Sequence, residues 1–405
     1  MASDQPTKNV LIINCGSSSL KYQLLDMRDE SLLAKGLIER IGLEQGVHTY
    51  QRPGADDQVA ELPVADHGAA FQLLLASLTD ATSGVLGSLA EVSAVGHRVV
   101  HAGEKFSGSV MIDEAVLDAL RECVPLAPLH NPANITGIEA ARTVMPDVPM
   151  VGVFDTAFHQ SMPDRAYIYP IPYDLYLENG IRRYGFHGTS HRFVTQRAAQ
   201  ILERDVTDLN LITCHLGNGA SMAAVLGGKS IDTSMGLTPL EGLMMGTRSG
   251  DIDPALVGYL SRTLDLSLAE VEQMLNKKSG LLGISGISSD LRDVEREYAN
   301  GNDRARLALE VYAYHIRKYM GSYAVALGRV DAIIFTAGVG EHASLIREWA
   351  CRGLEAVGAI LDPFKNATRH DEAIISKMSS RVKIMIIPTN EELMIARDTR
   401  DLVLL

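Results

Sequence analysis

What the sequence lacks narrows its function first. No apolar run approaches the length needed to cross a bilayer, and residues 1–8 have no apolar core of the signal-peptide kind. The four cysteines, Cys15, Cys123, Cys214 and Cys351, are scattered and form no C-x-x-C pair, so free thiols in a reducing cytoplasm are the simplest expectation. A basic excess is missing as well. The formal net charge is -13, which argues against a general nucleic-acid or anionic-membrane binder, because both need a basic face. An anionic substrate stays open, since it needs only a local cluster of cations. No G-x-x-x-x-G-K-S/T loop occurs, and no G-x-G-x-x-G opens a helix after the first strand, so neither a Walker loop nor a dinucleotide fingerprint is present. No low-complexity segment or long linker divides the chain.

What is present reads as a soluble globular protein, with 46% hydrophobic and 21% charged residues. At 405 residues it exceeds one ordinary core, so two domains are expected. The organising stretch is Asn14-Cys15-Gly16-Ser17-Ser18-Ser19-Leu20-Lys21. An apolar run, Val10 to Ile13, precedes it. Leu20, Tyr22 and Leu24 then alternate with Lys21 and Gln23, the period-2 pattern of a second strand. The polar octet is therefore expected at a β-hairpin tip. There Gly16 frees the backbone to turn, and Ser17 and Ser19 add hydroxyls beside N–H groups able to converge on an anion. Lys21 supplies a point charge for phosphate, and Asn14 an amide oxygen for a metal or its water shell. A plain small-residue turn is the other reading.

Further along, a hairpin is expected around residues 52–57, and a helix over 67–79 with Phe71, Leu74, Leu75 and Leu78 on one face. A strand over 92–100 leads into His97-Arg98-Val99-Val100-His101-Ala102-Gly103-Glu104, and an amphipathic helix lies near 112–122. The prolines of Ala127-Pro128-Leu129-His130-Asn131-Pro132 are expected to forbid regular structure there. A strand over 148–154 ends at Asp155. Three strands followed by alternating helices and strands suggest a mixed sheet. The opening pattern then returns. An apolar strand over 209–214 runs into His215-Leu216-Gly217-Asn218-Gly219-Ala220-Ser221, and another strand leaves it, which hints at duplication of one domain type. Two more strand-to-helix junctions follow, at residues 333–341 and 384–392.

These motifs closely resemble those of the acetokinase family. The resemblance also rests on Phe154-Asp155-Thr156-Ala157-Phe158-His159, Arg183-Tyr184-Gly185-Phe186-His187-Gly188-Thr189-Ser190-His191, Asp232-Thr233-Ser234-Met235-Gly236, Gly246-Thr247-Arg248-Ser249-Gly250-Asp251, Ser288-Ser289-Asp290-Leu291-Arg292, Gly338-Val339-Gly340-Glu341 and Pro388-Thr389-Asn390-Glu391-Glu392. They span nearly the whole chain in order. Two positions depart from the family pattern: Ala102 stands where a second glycine is usual, and His342 where asparagine is commoner.

The resemblance implies an α/β fold of two duplicated domains like those of sugar kinases, heat-shock chaperones and actin (ribonuclease-H-like), facing each other across a nucleotide cleft. It places residues 1–155 with a returning helix, 392–405, in the first domain. Residues 156–391 form the second, nucleotide-binding and dimerising one. It implies reversible, ATP-dependent phosphorylation of acetate to acetyl phosphate by direct in-line transfer, with propionate as the alternative acid. It also implies ATP and ADP as co-substrates, Mg²⁺ as cofactor with Mn²⁺ as a substitute, and a cytoplasmic homodimer without nucleic-acid or membrane partners. An ATP-driven chaperone or an actin-like filament protein would share the fold, but a filament protein has no reason to collect Arg98, His187 and Arg248 around one anion.

The chemistry explains those residue types. Acetate is already ionised at neutral pH, because carboxyl groups titrate near pKa ~4. Its attack on phosphorus needs cations to bring two anions together rather than a general base. Guanidinium groups match carboxylate and phosphoryl geometry. By resemblance Arg248 and His187 stabilise the transition state, Arg98 holds the acid, and Asp155 is catalytic. We expect Asp155 to orient the metal and arginine groups rather than remove a proton. His187 alone would equally suit a satisfied core histidine. The resemblance also implies that the acid's methyl group faces Val100, Leu129, Phe186 and Pro239. Asn14 and Glu391 are the implied magnesium contacts, although Glu391 also fits a plain helix N-terminal carboxylate. His215, Leu216, Gly217, Asn218 and Gly219 should hold the phosphates, Asp290, Leu291 and Arg292 the adenosine side, and Gly338, Val339, Gly340, Glu341 and His342 the nucleotide's opposite wall.

Overall fold

A computed structural model describes residues 8–128 and 130–404. They form two compact units. Unit 1 combines residues up to Ala157 with Asn390–Leu405, and unit 2 is the continuous segment Phe158–Thr389.

Unit 1 is built on an eight-stranded mixed sheet. Its strands are β1 (Asn9–Cys15), β2 (Ser19–Asp26), β3 (Ser31–Glu39), β4 (Gly46–Gln51), β5 (Gln58–Leu62), β6 (Val92–Val99), β7 (Val110–Met111) and β8 (Met150–Phe154), in the order β5-β4-β3-β2-β1-β6-β8-β7. The first five form an antiparallel meander, and β6 and β8 continue the sheet in parallel. Five strands thus precede the first helix, His67–Leu78, not the three counted from sequence: the hairpin expected around 52–57 joins β4 to β5, and β3 is the strand that no sequence pattern singled out.

Alternation in β1 feeds two cores, as period-2 geometry demands. Leu11 and Ile13 face one layer with Phe71 and Leu74. Val10 and Ile12 face the other with Val151, Val153 and, from the last helix Glu391–Val403, Ile395 and Ala396. Gly96 on β6 lets that helix approach closely: a Cβ there would lie 2.5 Å from Thr399 Oγ1 and 2.7 Å from Ile395 Cγ2. Glu30 anchors the same helix by accepting from Arg397 Nε at 2.8 Å and Nη2 at 2.6 Å.

Unit 2 carries a six-stranded sheet: β9 (Asn210–Leu216), β10 (Ala220–Leu226), β11 (Lys229–Thr233), β12 (Ala332–Thr336), β13 (Ala373–Ile374) and β14 (Lys383–Ile386), ordered β11-β10-β9-β12-β14-β13. Three antiparallel strands are again followed by two parallel ones. The run β3-β2-β1-β6-β8 of unit 1 and the run β11-β10-β9-β12-β14 of unit 2 have the same connectivity and sense. The duplication inferred from two hairpins therefore extends to five strands.

One local expectation is corrected. The prolines near residue 130 do not forbid regular structure: the helix Asn131–Val144 begins there with Pro132 in its first turn, where a missing N–H leaves no helical bond unmade.

Candidate active site

The candidate residues of each unit lie mostly at strand ends and hairpin tips, the usual place for sites on such sheets. In unit 1, Arg98 lies on β6 and Asp155 directly follows β8, its parallel neighbour. Arg98 donates from Nε to Asp155 Oδ1 at 3.0 Å and from Nη2 to Oδ2 at 2.7 Å. The Asp155 side chain is only 3% exposed, and its carboxylate holds the guanidinium well above the ordinary arginine value. Glu391 opens the last helix and places Oε2 3.9 Å from Arg98 Nε. Lys21 Nζ donates to Glu392 Oε1 at 3.3 Å. Asn14, Lys21, Arg98, Glu391 and Glu392 line one small cavity with Ile12, Tyr22 and Ile395.

The hairpin tip closes as the alternation predicted. Asn14 pairs with Lys21 across the strands, and Gly16 N donates to Ser19 O at 2.8 Å. Ser17 is exposed and Ser19 half-buried. Sequence reasoning missed Asn134, which ties the tip to the arginine strand. Its Oδ1 accepts from Val100 N at 3.0 Å, and its Nδ2 donates to Cys15 O at 2.9 Å. Its only sequence signal was a polar residue on the inner face of a helix. Leu129 lies outside the described residues.

Does this donor set suit magnesium? Two cations and three carboxylates (Lys21, Arg98, Asp155, Glu391, Glu392) leave the cluster formally one charge negative. Burial raises the Glu391 carboxyl, Asp155 and Glu392 adding to the effect and Arg98 opposing it. Among the described residues no group of three or more His, Cys, Asp or Glu side chains forms a metal cage. Magnesium asks for little more than one or two oxygen ligands plus water and phosphates, and the Asn14 amide oxygen with the Glu391 carboxylate fits that demand.

In unit 2, His187 caps the helix Gly188–Ile201 in the left-handed conformation, at φ 58°. Such a backbone costs a non-glycine residue about 1–3 kcal/mol and tends to occur at functional sites. The ring lies within hydrogen-bonding distance of Ser221 Oγ (Nδ1, 2.9 Å) and stacks on His215, centroids 4.1 Å apart. His215 Nδ1 lies 2.7 Å from Ser190 Oγ. Arg248 points to the same place. A Cβ built on Gly219 would lie 3.4 Å from Arg248 Nη1 and 3.6 Å from His187 Nε2. The two side chains therefore converge over the second hairpin tip.

Arg248 donates from Nη1 to Pro239 O at 3.2 Å. Among the described residues no carboxylate pairs with it, and burial alone pulls its guanidinium below the ordinary arginine value. Its loop is pinned from several sides. Gly246 N donates to Asn218 O at 3.0 Å, and a Cβ on Gly246 would collide with Asn218 Oδ1. Arg183 donates from Nη2 to Glu241 Oε1 at 2.6 Å, and Tyr169 OH donates to Glu241 Oε2 at 2.5 Å. Phe186 is buried, and its carbonyl lies 3.0 Å from His159 Nε2.

Beside this point lies a cavity of about 420 Å³ lined by Gly217, Asn218, Leu281, Ser289, Asp290, Leu291, Arg292, Glu295, Gly338, Val339, His342 and Ala343. Its size suits a nucleotide-sized ligand. Asp290 caps the helix Leu291–Ala299 and pairs with Arg292, whose Nη2 donates to Oδ2 at 2.6 Å. That bond holds the Asp290 carboxyl down to about 2. His215, Leu216, Gly219, Gly340 and Glu341 do not line the cavity. Leu216 and Gly340 are buried. Glu341 Oε1 accepts from Thr389 N at 3.3 Å, and the buried Arg347 donates to the carbonyls of Gly340 and Glu341 at 2.9 and 2.8 Å. Leu281, Glu295 and Ala343 were not foreseen. Glu295 follows Leu291 by one helical turn, the one spacing that could have flagged it.

The family model described as the acetokinase family matches residues 9–397. The chain belongs to the acetokinase family. Family relatives include the acetate kinase of Carboxydothermus hydrogenoformans, 58% identical over 97% of this chain and 99% of that protein. The acetate kinase of Treponema denticola is 56% identical with the same coverages. Among solved structures, Porphyromonas gingivalis acetate kinase superposes with a TM-score of 0.94 at 48% identity, over 97% of this chain and 99% of that one. A propionate kinase from Francisella tularensis gives 0.91 at 43%, over 98% of this chain and all of that one. The acetokinase fold, two duplicated actin- and sugar-kinase-like α/β units, is the one described above.

Proposed function

We infer that this chain transfers the γ-phosphoryl group of ATP to the carboxylate of acetate, forming acetyl phosphate and ADP, and runs the reverse reaction. A carboxylate oxygen forms the new bond to phosphorus as the bond to the ADP oxygen breaks. No proton need leave the nucleophile, so the residues have positioning and charge to supply.

One observation carries the reading: Arg248 is a partly buried guanidinium with no carboxylate partner among the described residues, and its Nη1 shares the space over Gly219 with His187 Nε2. A desolvated cation without a counter-charge, beside a second donor, suits a group on which negative charge builds. We propose that Arg248 and His187 hold the equatorial oxygens of the transferred group. The 420 Å³ cavity, with Asp290, Arg292 and Gly338 on its wall, would take the nucleoside.

In unit 1, Arg98 would hold the acid with Asp155 fixing its guanidinium, and Val100 would border the methyl group. Asn14 and Glu391 would hold magnesium, which when bound neutralises phosphate charge. The two units are proposed as the functional domains. A homodimer built on unit 2 is supported by exposed Leu256, Tyr259, Leu264 and Leu268 on its surface helices. Four buried free cysteines suit a reducing cytoplasm. Light scattering coupled to gel filtration tests the dimer.

Propionate is the second reading, favoured by the propionate kinase of similar structure. A coupled ADP-release assay with acetate, propionate, butyrate and glycerol, each with magnesium and with EDTA, separates the two. Acetate should give the highest kcat/KM and glycerol none. Equal turnover of glycerol would overturn the carboxylate assignment.

A further inference from the structure

The proposed role of His187 requires a proton on Nε2, and the structure contains a chain of hydrogen bonds that decides where that proton sits. Thr213 on β9 is fully buried, and its Oγ1 lies 2.7 Å from His191 Nδ1. His191 Nε2 lies 2.8 Å from Ser221 Oγ on β10. Ser221, also fully buried, lies 2.9 Å from His187 Nδ1. His191 sits one helical turn beyond His187, so both rings reach the same serine from one helix face.

We propose that Thr213, His191 and Ser221 form a directional relay that fixes His187 as its Nε2–H tautomer, making Ser221 and Thr213 positioning residues for phosphoryl transfer. The direction follows from the closed end. Thr213 Oγ1 has one partner among the described residues, so accepting a hydrogen bond would strand its own proton in the core, which costs more than the bond is worth. Thr213 therefore donates to His191 Nδ1. His191, with one proton, carries it on Nε2 and donates to Ser221 Oγ. The Ser221 proton is left for His187 Nδ1, which therefore accepts, so the ring carries its own proton on Nε2, the nitrogen that lies over Gly219 with Arg248 Nη1. The hydrogen bond at one ring nitrogen sets the state of the other.

The relay needs His191 neutral. Burial holds it well below the ordinary histidine value, with His159 and His215 adding to the effect. His159 meets its ring edge-on at 5.5 Å. His215 stacks on the His187 ring, Ser221 meets its Nδ1, and Arg248 approaches it over Gly219. With Nδ1 accepting from Ser221, the His187 ring presents Nε2–H to the space over Gly219.

The inference rests on His187 being a donor to the transferred group, and its test must separate the two. Protein labelled with ¹⁵N at histidine reports each tautomer through long-range ¹H–¹⁵N correlations without any turnover. The His187 signals are assigned by their loss in His187→Gln. The expected wild-type pattern for His187 is neutral with the proton on Nε2. Thr213→Val keeps the shape but removes the donor, and should shift the His187 pattern towards mixed tautomers from a residue that does not touch it. Thr213→Val and Ser221→Ala should each lower kcat about tenfold, the worth of one ordinary hydrogen bond, with KM for ATP unchanged. A wild-type His187 protonated on Nδ1, or a Thr213→Val spectrum unchanged at His187, would overturn the relay even if Ser221→Ala failed to fold. Near-normal kcat in His187→Ala, which leaves no side-chain donor, would overturn the donor role beneath it.

Discussion

Arg248→Ala offers the most informative single perturbation, because activity should fall steeply while stability holds or rises. Removing one charged member of a buried pair usually destabilises by several kcal/mol, since the partner is left uncompensated. Arg248 leaves no carboxylate behind among the described residues. What goes is a hydrogen bond to Pro239 O at 3.2 Å, a contact to Met245 Sδ at 3.7 Å, and a guanidinium that burial already disfavours. The first two are worth about 1 kcal/mol together, and relief of desolvation offsets them. The melting temperature should therefore stay within about 2 °C of wild type or rise. Catalysis should suffer heavily: loss of one preorganised donor to developing charge typically lowers kcat by about 10²–10³. Because that charge is largest in the transition state, KM for ATP should change little. Steady-state kinetics in the acetyl phosphate-forming direction, run beside differential scanning fluorimetry, measures both. Near-normal kcat would remove Arg248 from the mechanism. A drop of many degrees in melting temperature would show that the guanidinium has a structural partner, and would refute the argument from its missing counter-charge.

Asp155→Asn should leave the shape of the pH–rate profile intact while raising the magnesium needed for half-maximal rate; loss of one limb with magnesium response unchanged would instead mark Asp155 as a base. Its stability loss should be about 1–3 kcal/mol, below that of a fully broken buried pair, because Glu391 stands 3.9 Å from Arg98 Nε; urea unfolding reads it. Val100→Ala should shift kcat/KM towards propionate and butyrate by at most about 1–3 kcal/mol in the ratio, and equal dulling on every acid would mark Val100 as a plain core residue. Glu30→Gln tests the anchor of the last helix: the Arg397 hydrogen bonds hold the Glu30 carboxyl below its ordinary value, so wild type should outlast the variant in thermal melts at neutral pH. That advantage should shrink as pH falls below the ordinary glutamate value of ~4.3, and a difference that persisted at low pH would show the effect is not ionic.

Local pattern made the hairpins legible. Residues 10–13 and 20–24 show their period directly, and both tips close where small residues interrupt it. Harder to see was anything that depends on which strands lie side by side. Arg98 and Asp155 are 57 positions apart in sequence and meet only because β6 and β8 are parallel neighbours, a pairing with no local signature. Pro132 misled for a related reason: a proline blocks a helix interior but opens a helix readily, and only the downstream apolar face of Asn131–Val144 tells the two apart. The cavity wall contributed by Leu281, Glu295 and Ala343 comes from two helices and the junction between two others, and Leu281 and Ala343 carry no chemical signal of their own.

The return of the last helix to unit 1 has a consequence for how the protein is made. The face of the first sheet that holds Val10, Ile12, Val151 and Val153 is covered by Ile395 and Ala396, which leave the ribosome only after all of unit 2. At about 5–20 residues per second, the segment Phe158–Thr389 occupies roughly 10–50 s of translation. For that interval unit 1 has all its strands but an open apolar face, whereas unit 2, continuous in sequence, can finish folding as soon as it emerges. The second half of the chain is thus placed to mature before the first. Glu391, the proposed magnesium ligand, arrives with the same helix that seals the sheet, so the nascent unit acquires its metal-binding carboxylate and its finished core in one event.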